Sequence, residues 1–144
     1  ASMLGGYFNR DDALEELLST YNDEFPMEQE VAKRLDQTLA FIDECGFDSK
    51  SRVWKRNDLF TLIVELDRAF IEGLALQPSV VVESLNAFFK SVDQGSLESG
   101  DIVATTYYKA AVQASNDRIN RERRGQIIRD VLRGIEPLNQ LLGV

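Results

Sequence analysis

The chain contains no histidine, one cysteine and three prolines. Without histidine there is no histidine general base, no Ser-His-Asp triad and no His-bearing zinc site. A lone thiol, Cys45, can form no disulfide within the chain and no all-cysteine zinc site. Single-cysteine usage fits a cytoplasmic setting. No run of about 18 apolar residues occurs, so no membrane span is expected. The opening ASMLGGYF lacks the basic end, apolar run and cleavage site of a signal peptide. Residues 1–8 read as a cloning remnant and leader, with Ala1-Ser2-Met3 preceding a native methionine or an excised fragment. Glycines are scattered: Gly5-Gly6 has no following Gly-Lys-Ser, so no phosphate loop is present.

What is present is ordinary globular composition, 44% apolar and 28% charged in 144 residues, enough for one domain with a real core. The net charge of −8 is unevenly spread. Residues 11–48 hold twelve acidic residues against Lys33 and Arg34, a net of −10. Residues 115–134 hold six arginines against Asp117, Glu122 and Asp130, a net of +3. An acidic front and a basic tail can attract each other within a fold or between molecules.

The hydrophobic pattern is helical throughout. Asn9 caps a first helix carrying Leu14, Leu17, Leu18 and Tyr21. Pro26 enters a second, with Met27, Val31, Leu35, Thr38, Leu39 and Ile42 on its stripe and Gly46 ending it. Residues 47–57 form a loop or short turn. Asn57 or Asp58 caps a third helix, LFTLIVELDRAFIEG, apolar nearly all round and so central. Pro78 starts a fourth with Val81, Leu85, Phe88 and Val92 on one face. Residues 93–100 are a loop. Ile102, Val103, Tyr107, Ala110 and Ala111 mark a fifth. Asn116 or Asp117 opens a sixth, closed by Gly134 or Pro137, and PLNQLL adds a final turn. The expectation is an all-α single-domain bundle of about six helices with short connections, residues 9–144.

On a helical wheel of residues 117–135, Ile127, Ile128, Val131, Leu132 and Ile135 face the core. Arg118, Arg129 and Arg133 fall on the opposite, solvated side. Arg124 falls within the apolar face and Arg121 at its edge. A buried arginine needs a partner, so Arg121 and Arg124 are expected to be structural ion-pair residues. Glu65, Asp67 or the acidic front helices are the candidate carboxylates. Arg124→Ala is accordingly expected to cost more stability than Arg129→Ala. Arg118, Arg129 and Arg133, with Arg52 and Lys55 beside Trp54, are the candidate phosphate or partner contacts. The plainer reading of Trp54 is a core anchor. Asp43, Glu44 and Asp48 near Cys45 lack EF-hand spacing and read as a solvated helix end. Glu65 and Glu72 lack the Glu-x-x-His of a two-metal bundle, and Arg68 lies between them for local salt bridging.

The run YYKAAVQASNDRINRERRGQIIRDVL, 107–132, resembles the C-terminal end of the helical region of ParB-like, GmrSD-type restriction and phage-defence proteins. The resemblance rests on Tyr107 and Tyr108, the turn at Ser115 and Asn116, and Arg121, Arg124, Ile128 and Leu132. RVWKRNDLFTLIVEL, 52–66, is similar to an upstream element of the same family. The family's Asp-Gly-Gln-Arg-type motif and its HNH motif are absent from this chain. The resemblance therefore implies a helical accessory portion without catalytic, metal or cofactor-binding residues, whose partner is a protein or a missing N-terminal domain of a larger polypeptide. Homo-oligomers are compatible with this. The alternative is a nucleic-acid-binding module using the Arg-rich helix, which the net acidity disfavours. An enzyme built on carboxylates and Tyr107 or Tyr108 would need a paired site that no spacing points to.

Overall fold

The structure is a computed structural model that describes residues 27–95, 102–112 and 117–134. Among these residues it is all-helical. The expected first helix at 9–21, the leader, most of the 93–100 loop, Asn116, Ile135 and the PLNQLL turn lie outside the described residues.

Helix α1 runs Glu28–Cys45, with Glu28 and Glu30 in its first turn, where the helix dipole favours carboxylates. It buries Thr38 and Ile42. Leu39, expected on the same stripe, is 42% exposed. Gly46 ends the helix in the left-handed conformation (φ 65°), its N–H bonded to the Asp43 carbonyl. A 3-10 turn, Arg52–Trp54, follows, capped by Ser51 Oγ accepting from the Val53 N–H. Lys55 is extended and turns the chain into α2, Arg56–Ile71.

The start of α2 departs from the sequence reading. Neither Asn57 nor Asp58 caps it; both lie inside the first turn. Their side chains are taken by other elements: Asn57 donates to the Ala111 carbonyl, and Asp58 accepts from Arg52 and Tyr107. Otherwise α2 occupies the centre, burying Leu62, Val64, Leu66 and Ala69 together with the polar Asp58, Thr61, Glu65 and Asp67. Helix α3, Pro78–Gly95, begins at the expected proline. It is helical through Val80–Val82 and extends past Asp93, which the sequence placed in a loop. Its inward residues are Val81, Leu85, Phe89 and Val92, with Phe88 half-buried.

Helices α4, Ile102–Val112, and α5, Arg118–Arg133, complete the described bundle. Asp117 is the N-cap residue of α5, and left-handed Gly134 (φ 69°) closes it. The main interfaces are α5 against α2, α4 and α3, α4 against α3, and α1 against α2 and α3. Leu62, Leu66, Val53, Leu85, Val92, Tyr107, Ile127 and Ile128 meet in one apolar core. Phe88 stands edge-on to Tyr107, ring centroids 5.3 Å apart. No described helix is long and apolar enough to cross a membrane.

Candidate functional site

Two polar layers run through this core, and both are built on α2. The first lies near its N-terminus. Asp58 is 1% exposed. Its Oδ1 accepts from the Tyr107 hydroxyl of α4, and its Oδ2 accepts from Arg52 Nη1 at 3.2 Å. Arg52, itself buried, sends Nε to Asp93 Oδ1 of α3 at 2.9 Å, and its guanidinium lies 5.8 Å from the Tyr108 ring centroid. One arginine from the 3-10 turn thus ties three helices.

Burial pushes the Asp58 carboxyl above the ordinary carboxylate value, against the opposing pull of Tyr107 and Arg52. Burial, and then Asp58 itself, hold the Tyr107 hydroxyl well above its ordinary value. Neither group meets solvent in this conformation. The arrangement locks helices together; a reactant would have to displace the core to reach it.

Arg124 enters the same layer from α5 and is 1% exposed. Its Nη1 donates to the Ala110 carbonyl at 2.6 Å and its Nε to Thr61 Oγ1 at 3.3 Å. Ala110 and Ala111 belong to the last turn of α4, where carbonyls have no partner within the helix. Arg124 and Asn57 each supply a donor to that turn. A cation there also faces the negative end of the helix dipole. This explains an arginine in an apolar stripe: it caps a neighbouring helix, and its charge reaches Asp58.

The second layer joins α2 to α5 farther along. Arg129 grips Glu65 with two bonds, Nε to Oε2 at 2.9 Å and Nη2 to Oε1 at 3.0 Å. The Glu65 side chain is fully buried, and Arg68 stands 3.6 Å from the same carboxylate. Arg129 Nη1 also donates to Gln126, whose amide donates to Asp130 Oδ1 at 3.0 Å. Asp130 is 2% exposed, and its Oδ2 has no hydrogen-bond partner. Burial raises its carboxyl above the ordinary value. Arg133 pairs with Glu72, and Arg34 of α1 pairs with Asp67, Nε to Oδ1 at 3.0 Å.

These contacts revise the roles of the candidate residues. Glu65 and Asp67, the carboxylates considered for Arg121 and Arg124, are held by Arg129 and Arg34. Arg121 lies over the Phe60 ring, 5.6 Å from its centroid. Arg129 leaves the solvated side of the wheel because three helices enclose α5, so its buried arc is wider than its apolar stripe and takes in Gly125 and Asp130. Arg118 pairs with Glu122 one turn on, at 2.8 Å. Arg52 is a buried tie rather than a surface contact. Of the five candidate contacts, Lys55 alone is exposed and outside any ion pair among the described residues. Trp54 is not a core anchor: it is 43% exposed, with its indole N–H bonded to the Asp48 carbonyl, while Val53 fills the core.

The sequence reading missed Asp58, Thr61 and Asn57 as organising residues. A signal for the first two was there: Asp58, Thr61 and Glu65 recur at helical spacing on an otherwise apolar helix. Among the described residues no cluster of three or more acidic or cysteine side chains is placed to hold a metal ion. Burial, with Glu44 beside it, pushes the half-buried Cys45 thiol up to about 11, which keeps it a poor nucleophile at neutral pH. Compared with protein-family models, curated proteins and solved structures, the chain matches none of them.

Proposed function

We propose that this chain is a non-catalytic helical docking domain, the accessory helical part of a restriction-like defence protein. The observation that supports this reading most is the inward engagement of its chemistry-bearing residues. Asp58, Tyr107 and Arg52 are sealed against one another, and Arg129 is spent on Glu65. An arginine already bonded twice to a buried carboxylate can turn to a phosphate only by stranding that carboxylate. The Arg-rich helix therefore offers a nucleic acid fewer contacts than its composition promises.

Fluorescence anisotropy of a labelled DNA duplex, at about 50 and 200 mM salt, tests the reading, because phosphate-driven affinity falls steeply over that range. No duplex binding is expected at either salt. Tight binding that collapses with salt, and that weakens in an Arg118→Ala/Lys55→Ala variant, would replace this reading with a nucleic-acid-binding module. Both substitutions leave the buried pairs intact, so a loss of affinity could not be blamed on unfolding.

A further inference from the structure

Once the internal pairs are made, two surfaces of opposite charge stand out, with Lys33 on α1 and Glu83 and Lys90 on α3 outside them. At one end of the bundle the 3-10 turn, the start of α2 and the last turn of α4 meet, joined by the Asn57–Ala111 hydrogen bond and by Arg52 over Tyr108. The first turns of α5 reach the same end through Arg121 on Phe60. Lys55, Arg56 and Lys109 are exposed here and make no ion pair among the described residues. Trp54 is 43% exposed, Val112 54% and Ile119 62%. Of the described carboxylates at this end, Asp48 and Asp93 accept hydrogen bonds from the Lys50 N–H and from Arg52, Glu122 pairs with Arg118, and Asp117 stands at the N-cap of α5 beside Arg118. The result is a basic end with an apolar floor.

The outer face of α1 is its complement. Glu28, Ala32, Asp36, Leu39 and Asp43 follow one another at spacings of three and four, which puts them on one line along the helix. All five are exposed, and the three carboxylates make no ion pair among the described residues. Leu39 stands between Asp36 and Asp43 at 42% exposure. An acidic stripe with an apolar centre and a basic end with an apolar floor match in both charge and hydrophobicity.

We propose that copies of this chain associate head to tail, the α1 stripe of one copy covering the Trp54–Lys55–Arg56 end of the next. The stripe and the end are built from different residues, so every contact pairs unlike surfaces. Each added copy leaves a free stripe and a free end, and growth stops only where a ring closes. At about 0.1 M salt charges act over about 10 Å, which confines the interaction to the contact; at about 1 M the range falls to about 3 Å.

Sedimentation equilibrium at rising protein concentration tests this. The weight-average mass is expected to climb above the monomer's 16.3 kDa at about 0.1 M salt and to fall back at about 1 M. Lys55→Glu/Arg56→Glu reverses the basic end, and Asp36→Lys/Asp43→Lys reverses the stripe. Each variant alone is expected to stay monomeric, and an equal mixture of the two is expected to associate, because the mixture restores opposite charge at every contact. These four residues are exposed and make no ion pair among the described residues, so a thermal melt of each variant should fall no lower than the wild type. On the unaltered protein, the emission of its one tryptophan should shift to the blue as concentration rises. A wild-type monomer at every concentration, association that survives either reversal, a monomeric mixture or an unchanged tryptophan emission would each overturn the proposal. A result against self-association leaves the docking reading standing, and duplex binding leaves this one standing.

Discussion

Two arginines on one helix show how differently the same side chain can count. The Arg118–Glu122 pair is roughly half exposed on both sides, so Arg118→Ala should cost less than about 1 kcal/mol. Arg129→Ala leaves the fully buried Glu65 carboxylate without its bidentate partner. Its cost should be about 3 kcal/mol, the low end for a broken buried pair, since Arg129 is a quarter exposed and Arg68 remains nearby. Arg124→Ala strands the Ala110 carbonyl and empties a buried volume, so it should also fall well above Arg118→Ala. Thermal melts of the three variants check the order; equal small shifts would contradict it. Asp130 gives a pH test. Its carboxyl titrates above the ordinary value of 3.8 in the fold, so the folded state holds the proton more tightly than the unfolded chain. Its contribution to stability is therefore greatest below the ordinary value and is lost as pH rises through the folded one. Asp130→Asn removes the charge while keeping the shape. The variant should melt higher than wild type at neutral pH, and the advantage should shrink as the pH falls toward 4, on the order of the ordinary carboxylate value. A gain that grows on acidification would refute the assignment.

At the scale of the element, the helix ends decide the boundaries. Gly46 sits at φ 65°, and a Cβ added there would meet nothing within 4 Å. Gly46→Ala therefore tests backbone conformation alone. It should lower stability by about 1 kcal/mol, the cost of a left-handed conformation for an ordinary residue. No loss of thermal stability would mean that α1 ends differently in solution. The end of α4 is handled by side chains instead: Arg124 and Asn57, from two other helices, donate to its last carbonyls. That is also why Asn57 cannot cap its own helix.

For the molecule as a whole, α2 carries the most varied burial, with apolar and polar residues enclosed on every side. Its exchange behaviour should follow. In native-state hydrogen exchange the amides of residues 62–66 should be the slowest described, opening only with global unfolding, while those of the exposed side of α1 exchange sooner. Slower exchange in α1 than in α2 would move the centre of the fold. Internal pairing also changes what the net charge means. Glu65 of α2 is matched by Arg129, Asp58 by Arg52 and Asp67 by Arg34, which leaves the exposed stripe of α1 acidic and the opposite surface chemistry at the Trp54 end.

The helical class, the central place of α2, the start of α3 at Pro78 and the glycine stops at Gly46 and Gly134 were all legible in the sequence. Each depends on local chemistry: apolar residues at helical spacing, proline's missing donor and glycine's access to positive φ. The pairing of charges was not legible. A wheel ranks the sides of one helix by apolar content, and on that ranking Arg129 belongs to solvent. Its burial was decided by the number of neighbours around α5, and its partner by the parallel run of α2 beside it, which sets Glu65 opposite. Trp54 was decided the same way: its neighbour Val53 points into the core, so the indole of the adjacent residue in a tight turn points out. Periodicity and turn chemistry act within a few residues and so are written locally, whereas the Arg129–Glu65 pair joins groups 64 positions apart, and only the packing of helices brings them within reach.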